Sequence, residues 1–431
     1  MKAKNSLWKR ICRWFSGVYH VYCHEFSLVA HDPGLVLFFT FLPLAYPIIY
    51  SLIYNPEVVT EVPVVVIDDD RTPLSRELTR NLDACPQMHV IGYAAELGEA
   101  KDAMSSGHCF GIIHIPSGFE QKVGRQESSP VVMYSDMSLL LRYRGFLVAT
   151  TEVMQAMGAE IMQEDINRIA PLATTIANGD LLPIHNEPLG NIRSGFDSFI
   201  MPGVLMLILQ QCLVLAAGMA GAAKRENYKL NQFAVNMLDR STMVTMVGQA
   251  AVYCTIAWPA AIFLFHYVPL IFRFPVMGNP FEEMLFLLPF CLASIGLGYC
   301  LQGATLERES VFLNWVITSL AFLFLSGLIW PRYAMLPFWK ALSSICPATW
   351  GVEGFIKMNG NGATLGDVGH DYIALWICAV GWWALAWVIQ RFGVRPAIFH
   401  DLALRRSITQ AINNPQPVAD SDIQNEIPRQ D

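Results

Sequence analysis

Charge is what this sequence has least of. Only 15% of its 431 residues are Asp, Glu, Lys or Arg and 53% are hydrophobic, whereas a soluble domain carries roughly 25% charged residues. Six long runs contain no Lys, Arg, Asp or Glu at all: Leu35–Tyr54, Ser198–Ala223, Thr242–Pro269, Met284–Leu306, Ser310–Trp330 and Tyr372–Gln390. Each is near the ~20 apolar residues that a helix needs to cross a bilayer core. Pro43, Pro47, Pro202, Pro259 and Pro289 lie inside these runs, which neighbouring helices tolerate by covering the freed carbonyls. The expected fold class is an α-helical membrane protein with six transmembrane helices.

Other absences narrow the function. Ion-driven transporters place ionisable groups in their spans to bind the coupling ion, and these spans have none. No G-x-x-x-x-G-K-[ST] stretch is present, so a phosphate-cradling loop for ATP is missing from these residues. No C-x-x-C or His/Cys ligand spacing occurs among the ten cysteines, which leaves a metal site without support. The first apolar run starts only at Leu35 and is too long for the core of a cleaved signal.

What charge there is sits unevenly. Lys2, Lys4, Lys9, Arg10 and Arg13 precede the first run, and Lys224, Arg225, Lys229, Arg240, Arg308, Arg391, Arg395, Arg405 and Arg406 fall on the same side of a six-span chain. The opposite short loops hold only Arg273, Arg332, Lys340 and Lys357. Basic residues near the spans mark the cytoplasmic side, so both termini are expected there, in a cell (inner) membrane. The segment before Leu35 mixes those bases with Trp8, Trp14, Phe15 and Tyr19, the composition of an amphipathic helix lying in the interface.

This orientation puts residues 55–197 outside as one long insertion. Residues 56–196 hold 10 Lys/Arg and 19 Asp/Glu, a net of −9 in a chain of −7, so the remainder is about +2. An acidic insertion on a near-neutral body argues against nucleic acid, which favours a basic face. Strands are expected at "VPVVVIDDD", "MHVIGY", "CFGIIHIP" and "PVVMYSD". Helices are expected at "LSRELTRNLD", "ELGEAKDAMSSG" and from Met137 to Ile169. That alternation predicts a mixed α/β domain with helices packed on an open sheet. Cys85 and Cys109 fall outside, where a disulfide between them is permitted.

One motif in this insertion points to chemistry. Asp68, Asp70 and Thr72 have the D-x-D-x-T spacing of the haloacid-dehalogenase phosphatases. Such enzymes also need a downstream Lys and an acidic pair for magnesium, and the residues after Thr72 offer no Asp-Asp pair behind an apolar strand. Pro73 and Ser75 suit a turn into a helix N-terminus instead, where Asp and Ser accept backbone N–H bonds.

Elsewhere the sequence resembles a family. "LFLSGLIWPRYAMLPFWKALSSICPATW", residues 323–350, resembles the fifth-helix exit and external hairpin of ABC-2 type exporter permeases. Ser326, Gly327, Pro331, Leu336, Pro337, Trp339, Pro347 and Trp350 match the pattern. "VVVIDDDRTPLSREL" and "GIIHIPSGFEQKV" resemble that family's external domain. The resemblance implies a permease subunit, not itself an enzyme, that works as a dimer with a second copy or a paralogue. It implies ATP and Mg in a separate ABC ATP-binding subunit. It also allows a periplasmic adaptor and an outer-membrane channel. It assigns the loop 224–241 to ATPase coupling, through Arg225, Glu226, Tyr228, Lys229 and Phe233. The family's Gly-Thr and Thr-Pro are replaced there by Asn227-Tyr228 and Leu238-Asp239-Arg240.

The expected organisation is an interfacial helix (1–34), a first span (35–54), the external domain (55–197), five further spans (198–390) and a cytoplasmic tail (391–431) whose end is disordered. Residues 331–371 are too apolar for a solvated loop and are expected to re-enter the outer leaflet as short helices, with Glu353 and Lys357 paired on one face. In function, an amphipathic or lipophilic substrate moves out of the cell. An external sensor or scaffold, and a hydrolase using Asp68 and Asp70, are the alternatives.

Overall fold

In a computed structural model, residues 2–54, 59–125, 127–169, 195–230, 241–305 and 308–396 are described. They fall into two compact units, divided between residues 53 and 54 and again at residue 197. The first unit begins with α1 (Lys2–His31). Val21, Glu25 and Val29 recur every four residues on its buried face, while Trp8, Phe15 and Tyr19 are exposed. This is the two-faced pattern of an interfacial helix. Asp32 ends α1 and caps the next turn by accepting the N–H groups of Gly34 and Leu35. There α2 (Pro33–Val36) leads through a π turn at Leu37–Phe41 into α3 (Leu42–Tyr54).

The second unit is an α/β sandwich. Its elements are β1 (Val62–Asp68), α4 (Pro73–Asp83), β2 (Met88–Tyr93), α5 (Leu97–Ser105), β3 (Gly111–Ile115), α6 (Phe119–Gly124), β4 (Val132–Ser135) and α7 (Leu140–Ile169). The sheet order is β2-β1-β3-β4, with β1 parallel to both neighbours and β4 antiparallel to β3. A central parallel strand is covered on both faces, which is why β1 reads as an unbroken apolar run rather than an alternating one. Val64 and Val66 face Leu78, Leu82 and Phe146 of α4 and α7, and Val65 and Ile67 face Ala100 of α5. Pro63 is accommodated beside a register shift at Val64/Val65, where a strand proline is best tolerated. Cys85 and Cys109 do not pair: both thiols are free, and they belong to the cores on opposite faces of the sheet.

The first unit resumes with α8 (Phe196–Leu230), α9 (Thr242–Ile262), a π turn at Phe263–Tyr267, α10 (Val268–Phe272) and α11 (Pro280–Ala304). It ends with α12 (Arg308–Leu325), α13 (Pro337–Ser343), α14 (Pro347–Asn361), α15 (Gly369–Val388) and a π turn at Ile389–Val394. Five stretches among the described residues are long and apolar enough to cross a membrane: Pro33–Ile53, Phe196–Ala223, Thr242–Phe272, Pro280–Gly303 and Gly369–Val394. The expected run Ser310–Trp330 is shorter as a helix. Its apolar part, Glu309–Leu325, spans about 26 Å at 1.5 Å per residue, just under the ~30 Å hydrocarbon thickness. The run reads longer in sequence because apolar residues 326–330 continue past the helix end.

Two further boundaries differ from the sequence reading. The helix of the second run continues to Leu230, so residues 224–230 extend α8 rather than begin a loop. The last helix runs through a π turn to Val394, past the expected end at Gln390. Charged residues, Lys224 to Glu226 in the first and Arg391 in the second, end the apolar runs in sequence, but they set no helix end by themselves while the backbone ladder continues. Within the bundle α1 packs on α9, with Gly248 allowing the close approach of Val21. There the Tyr253 hydroxyl donates to the buried Glu25 carboxylate at 2.6 Å.

Candidate functional site

The segment from Ser326 to Asp371 gathers a linked set of charged and hydrogen-bonding side chains. Its geometry starts with proline. Pro331 precedes a single 3-10 turn at Arg332–Ala334, and Pro337 and Pro347 each occupy the first turn of α13 and α14. Proline suits that position because its missing N–H has no intrahelical acceptor to reach. At the end of α12, Gly327 adopts φ +86, a conformation favourable to glycine. Ser326, buried beside it, donates from Oγ to Leu323 O at 2.8 Å and accepts from Leu328 N.

Thr349 ties the start of α14 to the ends of α12 and α13. Its buried hydroxyl lies 2.7 Å from Ser343 O and 3.1 Å from Leu325 O, carbonyls at the C-termini of α13 and α12 that lack helical partners. Thr349→Val keeps the shape and removes the donor. It is expected to lower stability by about 1–2 kcal/mol, seen as a lower thermal midpoint of the full-length protein in detergent, with Thr349→Ser retaining most of it. A Val variant as stable as the parent would contradict this role.

Around Trp350 the charges assemble. Trp350 donates from Nε1 to Ser344 O at 2.9 Å, and the Arg332 guanidinium lies 3.9 Å over its ring, a cation–π contact. Arg332 Nη2 donates to Ser344 Oγ at 2.7 Å, while its Nη1 is 3.7 Å from Glu353 Oε2. Glu353 also holds Lys357, one helical turn on, at 3.1 Å, as the sequence spacing predicts. Lys357 reaches further to Asp371, at the start of α15, at 2.8 Å. Asp371 is only 2% exposed. Burial pushes the Lys357 ammonium toward a lower pKa, but the hydrogen bonds it donates to Asp371 and Glu353 outweigh it and leave the value raised.

Two cavities flank this turn. One, about 580 Å³, is lined by Arg332, Lys340, Glu353 and Lys357 with Trp350 and Tyr333. The other, about 660 Å³, is apolar and lined by Phe324, Trp330, Met335, Leu336, Trp339 and Leu342. Both sizes fall in the range of small-molecule sites. The structure thus brings Ser326, Gly327, Pro331 and Trp350 to the polar cavity and Trp339 to the apolar one. Pro337 and Pro347 act as helix starts. Sequence reasoning missed Arg332, Thr349 and Asp371, whose partners are far along the chain.

Arg225, Glu226, Tyr228 and Lys229 lie on the last turns of α8, and Phe233 lies outside the described residues. In the α/β unit, Asp68 and Asp70 act as backbone acceptors. Asp68 Oδ1 accepts from Asp70 N and Arg71 N, and its Oδ2 from Ser75 Oγ. Asp70 accepts from the N–H groups of Gly118, Phe119 and Glu120 and from the Thr72 hydroxyl. Thr72 and Ser75 form a capping box at the start of α4. The D-x-D-x-T spacing is therefore that of a strand end, turn and cap.

A family profile for ABC-2 family transporter proteins matches residues 33–388. The chain belongs to the ABC-2 transporter family. It is a multi-pass membrane protein and the membrane subunit of an ABC transporter, a class of permease that works with an ATP-binding subunit. No curated protein matches this permease.

Proposed function

We propose that this permease is the membrane half of an ATP-driven exporter that moves an amphipathic or lipophilic substrate out of the cell. Two copies, or this chain and a paralogue, form the path, and ATP with Mg is hydrolysed in a separate ABC subunit. Its termini are cytoplasmic, the α/β unit faces outward, and α12 is a sixth span. The end of α8 and the loop that follows, with Arg225, Glu226, Tyr228, Lys229 and Phe233, take the push from the ATPase. The segment 326–371 forms the outer gate.

The family match over residues 33–388 carries the reading, because it assigns a transport subunit to a chain without a Walker A motif. The five apolar stretches carry acidic residues only in their first turns, Asp197, Glu282, Glu283 and Asp371. This supports an energy source other than an ion gradient, and the Lys/Arg distribution supports the orientation. The test is affinity capture of the tagged chain from its native membrane. An ATP-binding subunit is expected to come down with it, and ATP hydrolysis by that complex is expected to respond to lipophilic compounds. Capture of the intact permease with no ATP-binding subunit would overturn the proposal.

A further inference from the structure

We infer that the paired cavities beside the Trp330–Ala334 turn are one binding site for an amphiphile with an anionic oxyacid head, phosphate or carboxylate. The inference rests on the exporter reading for its physiological sense, since it names the chemistry of what would pass the gate. The binding itself needs only this chain.

Three observations carry it. The first is the sign of the charge. The polar cavity is lined by Arg332, Lys340 and Lys357 against a single carboxylate, Glu353. Even with the buried Asp371 counted, positive groups outnumber negative ones by three to two. Both carboxylates lie against Lys357 and Glu353 also lies near Arg332, so the net surplus is one positive charge, presented to a ligand by Arg332 and the exposed Lys340.

The second is Arg332 itself. Among the described residues, Nη2 is the guanidinium nitrogen with an acceptor within hydrogen-bond distance, Ser344 Oγ. Its Nε is buried without an acceptor, and Nη1 is 3.7 Å from Glu353, beyond hydrogen-bond length. Buried donors are ordinarily satisfied. A guanidinium fixed over an indole ring, with donors to spare, matches the planar fork that carboxylates and phosphates accept.

The third is adjacency. The apolar cavity is lined by Trp330 and Ala334, and the polar one by Pro331, Arg332 and Tyr333, from the same turn. A molecule with its head on Arg332 and Lys340 has an apolar trough for its chain on the other side of one short backbone segment. A cationic amphiphile would meet the excess positive charge, and a free anion would leave the trough unused.

The test uses the full-length protein in phosphatidylcholine nanodiscs with dodecyl phosphate carrying a photoactivatable diazirine at its chain end. After irradiation, labelled peptides are mapped by mass spectrometry. Label is expected within residues 321–342, protected by unlabelled dodecyl phosphate and not by dodecyltrimethylammonium or inorganic phosphate at equal concentration. Arg332→Gln should reduce labelling about tenfold, from loss of a charge-assisted bond. Should that variant fold poorly, Lys340→Gln, at an exposed position, should reduce it roughly two- to fivefold. Protection by phosphatidylglycerol in the disc would support the site and identify the bilayer's own anionic lipid as the source, whereas protection by the single-chain compound alone would identify a soluble amphiphile. Equal protection by the cationic amphiphile, protection by inorganic phosphate alone, or labelling unchanged in Lys340→Gln would overturn the inference. Because no ATPase is present, those failures leave the exporter reading to be judged by the capture experiment.

Discussion

Asp70→Ala is expected to unfasten the start of α6 from the end of β1 and to destabilise the α/β unit by about 2–3 kcal/mol. The reason lies in how many groups one carboxylate serves. Asp70 Oδ1 takes Gly118 N at 2.7 Å and Phe119 N at 3.0 Å, and Oδ2 takes Glu120 N at 3.0 Å and Thr72 Oγ1 at 2.6 Å. Those three N–H groups open α6 and have no helical partner of their own. Partial burial of Asp70 works against the charged form. The hydrogen bonds from Thr72 and from the Glu120, Gly118 and Phe119 amides win, and the pKa is lowered. A lowered folded pKa fixes the sign of the pH dependence. The contribution is fully present above the unfolded Asp value of about 3.9, and is lost as the pH falls through the lower folded value. Hydrogen–deuterium exchange on the full-length protein reads the effect directly. Exchange over residues 117–121 should rise roughly 30- to 150-fold in Asp70→Ala at neutral pH, with Asp70→Asn intermediate because one acceptor oxygen remains. The wild type should approach the variant's exchange only at strongly acid pH. Unchanged protection in the Ala variant would remove Asp70 from its role as the fastener.

The α/β unit was legible in the sequence because its signals are local. Apolar runs bounded by turn residues placed β1 to β4, and Thr72, Pro73 and Ser75 announced the start of α4. What binds these pieces together was not legible, since Asp70 meets Gly118 across 48 residues. The same division runs through the candidate gate. Glu353 and Lys357 lie one turn apart and their pairing follows from helix geometry. Lys357–Asp371 and Thr349–Leu325, 14 and 24 residues apart, depend on how helices pack. The length of α12 failed for a related reason. Hydropathy continues to Trp330, but the backbone turns at Gly327, and a hydropathy window does not register a change of φ. Prolines 331, 337 and 347 could be read because proline constrains its own backbone wherever the chain goes.

Packing of α14 on α11 sets the position of the charged cluster, and Gly351→Leu is expected to disrupt it. At Gly351 an added Cβ would sit 2.4 Å from the Phe290 ring, and at Gly354 2.5 Å from the Phe286 ring. Phe286 and Phe290 are fully buried and one turn apart on α11, so the two rings fit the two glycines of the facing helix. A leucine at 351 must move Phe290 or push α14 away, and overfilling a close-packed core typically costs about 1–3 kcal/mol. Displacing α14 also moves Trp350, Glu353 and Lys357, which are on it, away from Arg332 and Asp371, which are not. The expected result is a loss of properly folded, detergent-stable protein and of transport together. Phe290→Ala alone should cost about 3–5 kcal/mol by leaving a cavity. The double variant separates this mechanism from a loss of glycine flexibility. If the ring and the new side chain compete for the same volume, Gly351→Leu with Phe290→Ala should be more stable than either single variant, because leucine fills the space that the ring vacates. If the glycine is needed for its backbone freedom, the two losses should simply add. Gly351 is helical with no positive φ, and glycine in a helix interior is itself unfavourable, so the requirement for it here is one of space.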